Sequence, residues 1–140
     1  FLTEINDIQD QIIEEFAPLN EWFDRYERLI AFGSEMPRLP ETGRTDDNLI
    51  NDCQSRLWLA ADLIAGRLVF YADSEAKITR GIIALVLKVV NNQPPEAVAD
   101  ADLYFLDAIG LTSNLSPSRA NGLASILKRI NQLAHQHTRC

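Results

Sequence analysis

The chain has 140 residues, of which 46% are apolar, and a formal net charge of −7. That length and composition fit one domain with a real hydrophobic core, so a single domain over 1–140 is expected rather than disorder. A chain this acidic, with a sequence pI near 4.7, repels phosphate backbones and anionic lipid, so neither nucleic acid nor a membrane is an expected partner.

Ile5, Ile8, Ile12 and Phe16 recur three or four residues apart, which predicts an amphipathic first helix ended by Pro18. Asn20 is placed to cap a second helix carrying Trp22, Phe23, Tyr26, Leu29 and Ile30, with Gly33 as its stop. Pro37, Pro40 and Gly43 mark residues 34–47 as a loop. The period then changes. Leu49-Ile50, the run from Arg56 to Leu63 and the run from Arg67 to Ala72 predict three antiparallel strands in a meander, with Ala65-Gly66 at the second turn. Cys53 falls in the connection between the first two strands.

Asp73 and Ser74 read as N-caps of the next helix. Its stripe of Ile78, Ile82, Ile83, Leu85, Val86, Val89 and Val90 is broad enough to be mostly buried against one face of the sheet, and Asn91-Asn92 ends it. Pro95 opens a short helix, Asp102 to Ile109 makes another that Gly110 closes, and Ser116-Pro117 starts the last. The last helix carries its core stripe on Leu123, Ile126, Leu127, Ile130, Leu133 and Ala134, and residues 135–140 read as a frayed tail. Helices, then a small sheet, then helices again predict an α+β fold: a three-stranded antiparallel sheet flanked by helices.

No apolar run approaches the roughly 20 residues that span a bilayer. The first residues, Phe1 to Ile5, lead into acids rather than an apolar segment with basic flanks, so no signal peptide is expected. Two cysteines, Cys53 and the terminal Cys140, do not make a secreted disulfide framework, and a reducing, cytoplasmic compartment is the expectation.

Cys53 is the residue that bears on function. Its neighbours Asn51, Asp52, Gln54, Ser55 and Arg56 are polar. Two readings stand. Free cysteine is often a small buried hydrophobe; a thiol on a polar turn is instead a displayed nucleophile. A reactive sulfur must be thiolate part of the time, which Arg56 favours and Asp52 opposes. His135 and His137 lie far off in the C-terminal tail, so a Cys–His hydrolase has no base near in sequence. With Cys140 they do not have the spacing of a closed tetrahedral metal site, and no metal or cofactor is expected. Asp73 serves either as a helix cap or as support for the cysteine-bearing segment. Arg119 stands in the first turn of the last helix, where a cation opposes the helix dipole, so it calls for an acidic partner.

Three separate stretches resemble the SufE family: Asp47 to Trp58 around the cysteine, Ala72 to Ala84, and Leu111 to Leu123 with its Ser116-Pro117-Ser118-Arg119. Trp22, Tyr26, Leu29, Ile30, Gly33, Leu39 and Pro40 fall where that family has its early helix and following loop. The resemblance runs from about Phe16 to about Ala134, with its motifs in the family's order. It implies a SufE/IscU-like α+β fold with the cysteine on a loop between strands, in agreement with the strand pattern. It also implies a sulfur acceptor in iron–sulfur cluster assembly. In that family a pyridoxal-phosphate-dependent cysteine desulfurase (SufS-like) forms a persulfide, and the acceptor takes its outer sulfur to an iron–sulfur scaffold (SufBCD-like) while stimulating the desulfurase.

By resemblance Cys53 is the carrier, with Asp52, Gln54, Ser55, Arg56, Asp73 and Arg119 in support. Such a protein is an accessory of sulfur transfer rather than a stand-alone enzyme, and it needs no cofactor. A cluster scaffold commonly needs three or four thiolates, so one internal cysteine fits a carrier better. The sequence departs from the family at Asp52, where glycine is usual. That departure raises an alternative: a regulatory module that docks on a desulfurase without accepting sulfur. A thiol-dependent enzyme of another kind requires a base and a substrate pocket around Cys53.

Overall fold

Two helices open the chain: α1 over Leu2–Phe16 and α2 over Trp22–Glu35. The computed structural model describes residues 2–19, 21–36, 45, 49–50, 56–111 and 115–137, with the backbone alone for Leu2, Thr3, Ser118 and Arg119. The expected cap Asn20 therefore lies outside the described residues; Glu21 occupies the cap position and makes no side-chain cap bond. The helix also runs past Gly33. That glycine is buried where α2 crosses the central helix, and its missing side chain permits the close approach. It does not stop the helix.

The sheet has the order β1-β2-β3, formed by Leu49–Ile50, Leu57–Ile64 and Arg67–Ser74, antiparallel throughout. Ile50 pairs with Leu57, Leu57 with Ser74, and Ile64 with Arg67 across the tight turn. Ala65 and Gly66 both have positive φ, 53° and 80°, the signature of a two-residue type I′ turn matching the strand twist. The sheet is unevenly covered. Leu57, Trp58 and Leu59 are buried in succession, so both faces are covered at the start of β2, whereas Leu63 and Ile64 near the hairpin tip are 44% and 51% exposed. The connection between β1 and β2 thus leaves the sheet at its buried end.

The third helix, α3 over Lys77–Val90, is the centre of the core and buries nine residues, among them Ile82, Leu85, Val86 and Val89. It follows β3 directly. Asp73 and Ser74 belong to that strand, and the helix begins after Ala76, which has no side-chain cap bond. The expected capping role of Asp73 and Ser74 is therefore replaced by another, described below. Then come α4 over Pro95–Asp100, α5 over Phe105–Ala108, and α6 over Pro117–His137. The predicted helix from Asp102 shrinks to four residues, and Gly110 closes it with φ 79°. The last helix continues through His135 to His137, where the sequence predicts fraying. Gln9 of α1 is fully buried and satisfied at both ends of its amide: it donates to Asp102 O at 3.0 Å and accepts from Phe105 N at 3.2 Å. It locks the first helix to the α4–α5 region.

Candidate functional site

Residues 51–55 connect β1 to β2, so Asp52, Cys53, Gln54 and Ser55 lie outside the described residues. Their flanks are well defined. Ile50 on one side and Leu57 on the other are buried and paired with each other. Arg56 is the first described residue after the connection and its side chain is exposed. Its carbonyl accepts a hydrogen bond from Glu75 N at 3.2 Å, and its Nε lies 3.7 Å from Glu75 Oε1. Both side chains stand in solvent, so that ion pair contributes little, about 0–1 kcal/mol. The main-chain bond is the firmer link.

Glu75 belongs to the turn between β3 and α3, and this turn is tightly tied. Asp73, fully buried, sits opposite Trp58 in the ladder. Its Oδ1 accepts from Ser74 N at 2.8 Å and from Arg80 Nε at 3.1 Å. Arg80 Nη2 donates to Ser74 O at 2.8 Å, and Ala76 N donates to Ser74 Oγ at 3.3 Å. A buried carboxylate must be paired and hydrogen-bonded to be tolerated. Asp73 satisfies this through Arg80, in the first turn of α3. Arg80 is missing from the sequence-derived candidates, although its signal is present: a cation in a first helical turn calls for an acid, as at Arg119. Arg119 itself lies in the first turn of α6, and its side chain is outside the described residues.

Beside Leu57, a crevice of about 10 Å³ is lined by Thr79, Ile82, Ile83, Gly122, Leu123 and Ile126. It brings β2, the start of α3 and the first half of α6 together at the end of the sheet from which residues 51–55 depart. The larger cavities lie elsewhere. One of about 320 Å³ is lined by Phe32, Tyr71, Leu87 and Lys88 among others, and one of about 360 Å³ lies between α5 and the second half of α6. Among the described residues no group of His, Cys, Asp and Glu side chains could hold a metal ion. Among them, too, no helix is long and apolar enough to cross a membrane.

Comparison with known proteins agrees with the motifs. The family model described as "SufE: Fe-S metabolism associated domain" matches residues 10–134. An uncharacterized SufE-like protein of Rhizobium meliloti is 39% identical over 130 residues, covering 89% of this chain and 93% of that one. The sulfur acceptor protein CsdE of Escherichia coli is 36% identical over 117 residues, covering 82% of this chain and 80% of that one. A solved structure, of a hypothetical protein from Thermus thermophilus, shares the fold with a TM-score of 0.78 at 21% identity, over 95% of this chain and 97% of that one. The chain belongs to the SufE family of iron–sulfur metabolism domains.

Proposed function

We propose that the protein is a sulfur acceptor of iron–sulfur metabolism that receives persulfide sulfur on Cys53. Three things support this: family membership over residues 10–134, likeness to a protein named as a sulfur acceptor, and a single internal cysteine in the connection that leaves the buried end of the sheet. The last carries the most weight, because a carrier thiol needs a short displayed segment on a fixed base.

The chemistry is thiol exchange at sulfur. The Cys53 thiolate attacks the outer sulfur of a persulfide held by a cysteine desulfurase. A new S–S bond forms at Cys53, the old one breaks, and the partner's cysteine leaves as thiolate. The transferred sulfur keeps its oxidation level, so no oxidant or cofactor enters the step. A reducing compartment such as the cytoplasm keeps the thiol free, and an iron–sulfur scaffold is the onward recipient.

The test is mass spectrometry of the Cys53 peptide after incubation with a pyridoxal-phosphate-dependent desulfurase and cysteine. One added sulfur atom on Cys53, lost in Cys53→Ser and kept in Cys140→Ser, is expected. Stimulation of the desulfurase with Cys53 unmodified would instead support a docking regulator, a reading that Asp52 in the usual glycine position favours.

A further inference from the structure

We propose that Arg80 is a positioning residue for the segment that bears Cys53, acting through the β3–α3 turn without touching sulfur. The inference rests on the reading of Cys53 as the sulfur carrier. Arg80 and its partner Asp73 hold both main-chain polar groups of Ser74: Asp73 Oδ1 takes the N–H at 2.8 Å, and Arg80 Nη2 donates to the carbonyl at 2.8 Å. Ser74 is the last residue of β3 and pairs with Leu57, the first residue of β2. One residue on, Glu75 N donates to Arg56 O at 3.2 Å. The anchor therefore runs from a guanidinium in α3, through a turn whose backbone it pins, to the carbonyl at which residues 51–55 rejoin the sheet. Three residues of chain reach about 11 Å at most. Cys53 therefore works within that distance of Arg56, and the placement of Arg56 limits where the sulfur can be presented.

Stability alone does not explain the pair. A cation in the first turn of α3 opposes the helix dipole. An ion pair with Asp73 fully buried and Arg80 only 16% exposed is expected to about break even against apolar residues of similar size. What the pair supplies is a fixed geometry. Arginine suits it because its planar fork reaches a carboxylate and a carbonyl together; lysine offers a single point charge. Fixing Arg56, where residues 51–55 rejoin the sheet, lowers the entropy lost on docking into a partner. Loosening it raises the concentration needed for docking and leaves the maximal rate of sulfur transfer nearly unchanged.

The experiment compares the parent with Arg80→Met and Arg80→Lys in two assays. Hydrogen exchange follows the Glu75 amide, with the amides of Tyr71 and Ala60, which face each other between β2 and β3, as internal reference. Desulfurase stimulation gives the half-saturating concentration and the maximal rate separately. In Arg80→Met the Glu75 amide should exchange about tenfold faster with the reference amides unchanged. Half-saturation should rise about fivefold to tenfold, on the scale of ordering one or two side chains. Arg80→Lys, which keeps the charge beside Asp73, should fall between parent and Arg80→Met, and it decides in the same way if Arg80→Met does not fold. A folded variant with parental Glu75 exchange or parental half-saturation overturns the proposal. Cys53→Ser separates the two claims: continued sulfur transfer in that variant removes the carrier reading, whereas the exchange assay tests the anchor independently of sulfur.

Discussion

Gly81 of α3 packs against the carbonyl of Leu29 in α2 so closely that a methyl group on Gly81 would stand 2.1 Å from that oxygen. A Cβ on Gly33 would in turn meet Gly81 N at 2.8 Å. Both distances are impossible contacts, and both obstacles are backbone that cannot rotate away. The two helices cross this tightly because neither carries a side chain there. Gly81→Ala should force them apart and cost at least about 1–3 kcal/mol, the range for overpacking a filled core. Urea unfolding measures it: an unchanged midpoint would show that the helices separate freely.

The misread role of Gly33 shows what a sequence pattern omits. Helix stops and helix crossings both favour glycine, and only the partner helix distinguishes them. Periodicity carried further elsewhere. The three strands and the apolar stripes of α3 and α6 are all legible, because each depends on local spacing of apolar residues. Asp73 was legible as a residue of interest but not in its role. A cap and a buried ion pair look alike until Arg80 is placed on the same turn. The pairing spans seven residues and a change from strand to helix, and the first-turn cation signals that an acid is needed without saying which one.

Asn91 closes the outer edge of the sheet. Its Oδ1 accepts from Phe70 N at 2.6 Å and its Nδ2 faces Phe70 O at 3.4 Å, while Leu68 N donates to Gln93 O at 2.9 Å and Asn92 N to Leu68 O at 2.8 Å. The side chain thus imitates a paired strand residue beside β3 and covers an edge that otherwise invites association. Asn91→Ala should cost about 1–3 kcal/mol, since it strips the Phe70 amide of its acceptor. Asn91→Asp, which keeps an acceptor for that amide, should recover part of the loss. Thermal unfolding with light scattering checks both, and an Asn91→Ala protein as stable and soluble as the parent would show the edge is protected by something else.

Tyr104 donates its hydroxyl to Asp10 Oδ1 at 2.7 Å, which ties the α4–α5 connection to α1. That hydrogen bond is the largest cause pushing the phenol up to about 12 from 10.0, with partial desolvation and the negative charge of Asp10, Asp7 and Asp102 adding to it. The neutral phenol is the form the folded state favours. Its contribution to stability is therefore complete below pH 10 and is lost as pH rises through about 12. Asp10→Asn should bring the titration of this tyrosine back toward 10. Tyrosinate absorbance, with Tyr104→Phe to identify its share among the three tyrosines, reads it directly. A titration unaltered by Asp10→Asn would show that the Asp10 hydrogen bond is not its cause.

Asp52 immediately precedes Cys53, the proposed sulfur carrier, at the position where the sequence resemblance leads one to expect glycine. Two effects follow from one side chain. Its carboxylate, on the residue adjacent to the cysteine, disfavours a neighbouring thiolate. Its Cβ also removes backbone conformations that glycine leaves open. The two are separable. Asp52→Asn should shift the pH profile of Cys53 alkylation to lower pH and leave the backbone share in place. Asp52→Gly should give the same shift and, in addition, faster persulfide formation with a desulfurase. Equal rates for Asp52→Gly and the parent in both assays would sink this explanation. Asp52 would then act as a contact for a particular basic partner surface, and Asp52→Lys should weaken desulfurase stimulation while Asp52→Gly does not strengthen it.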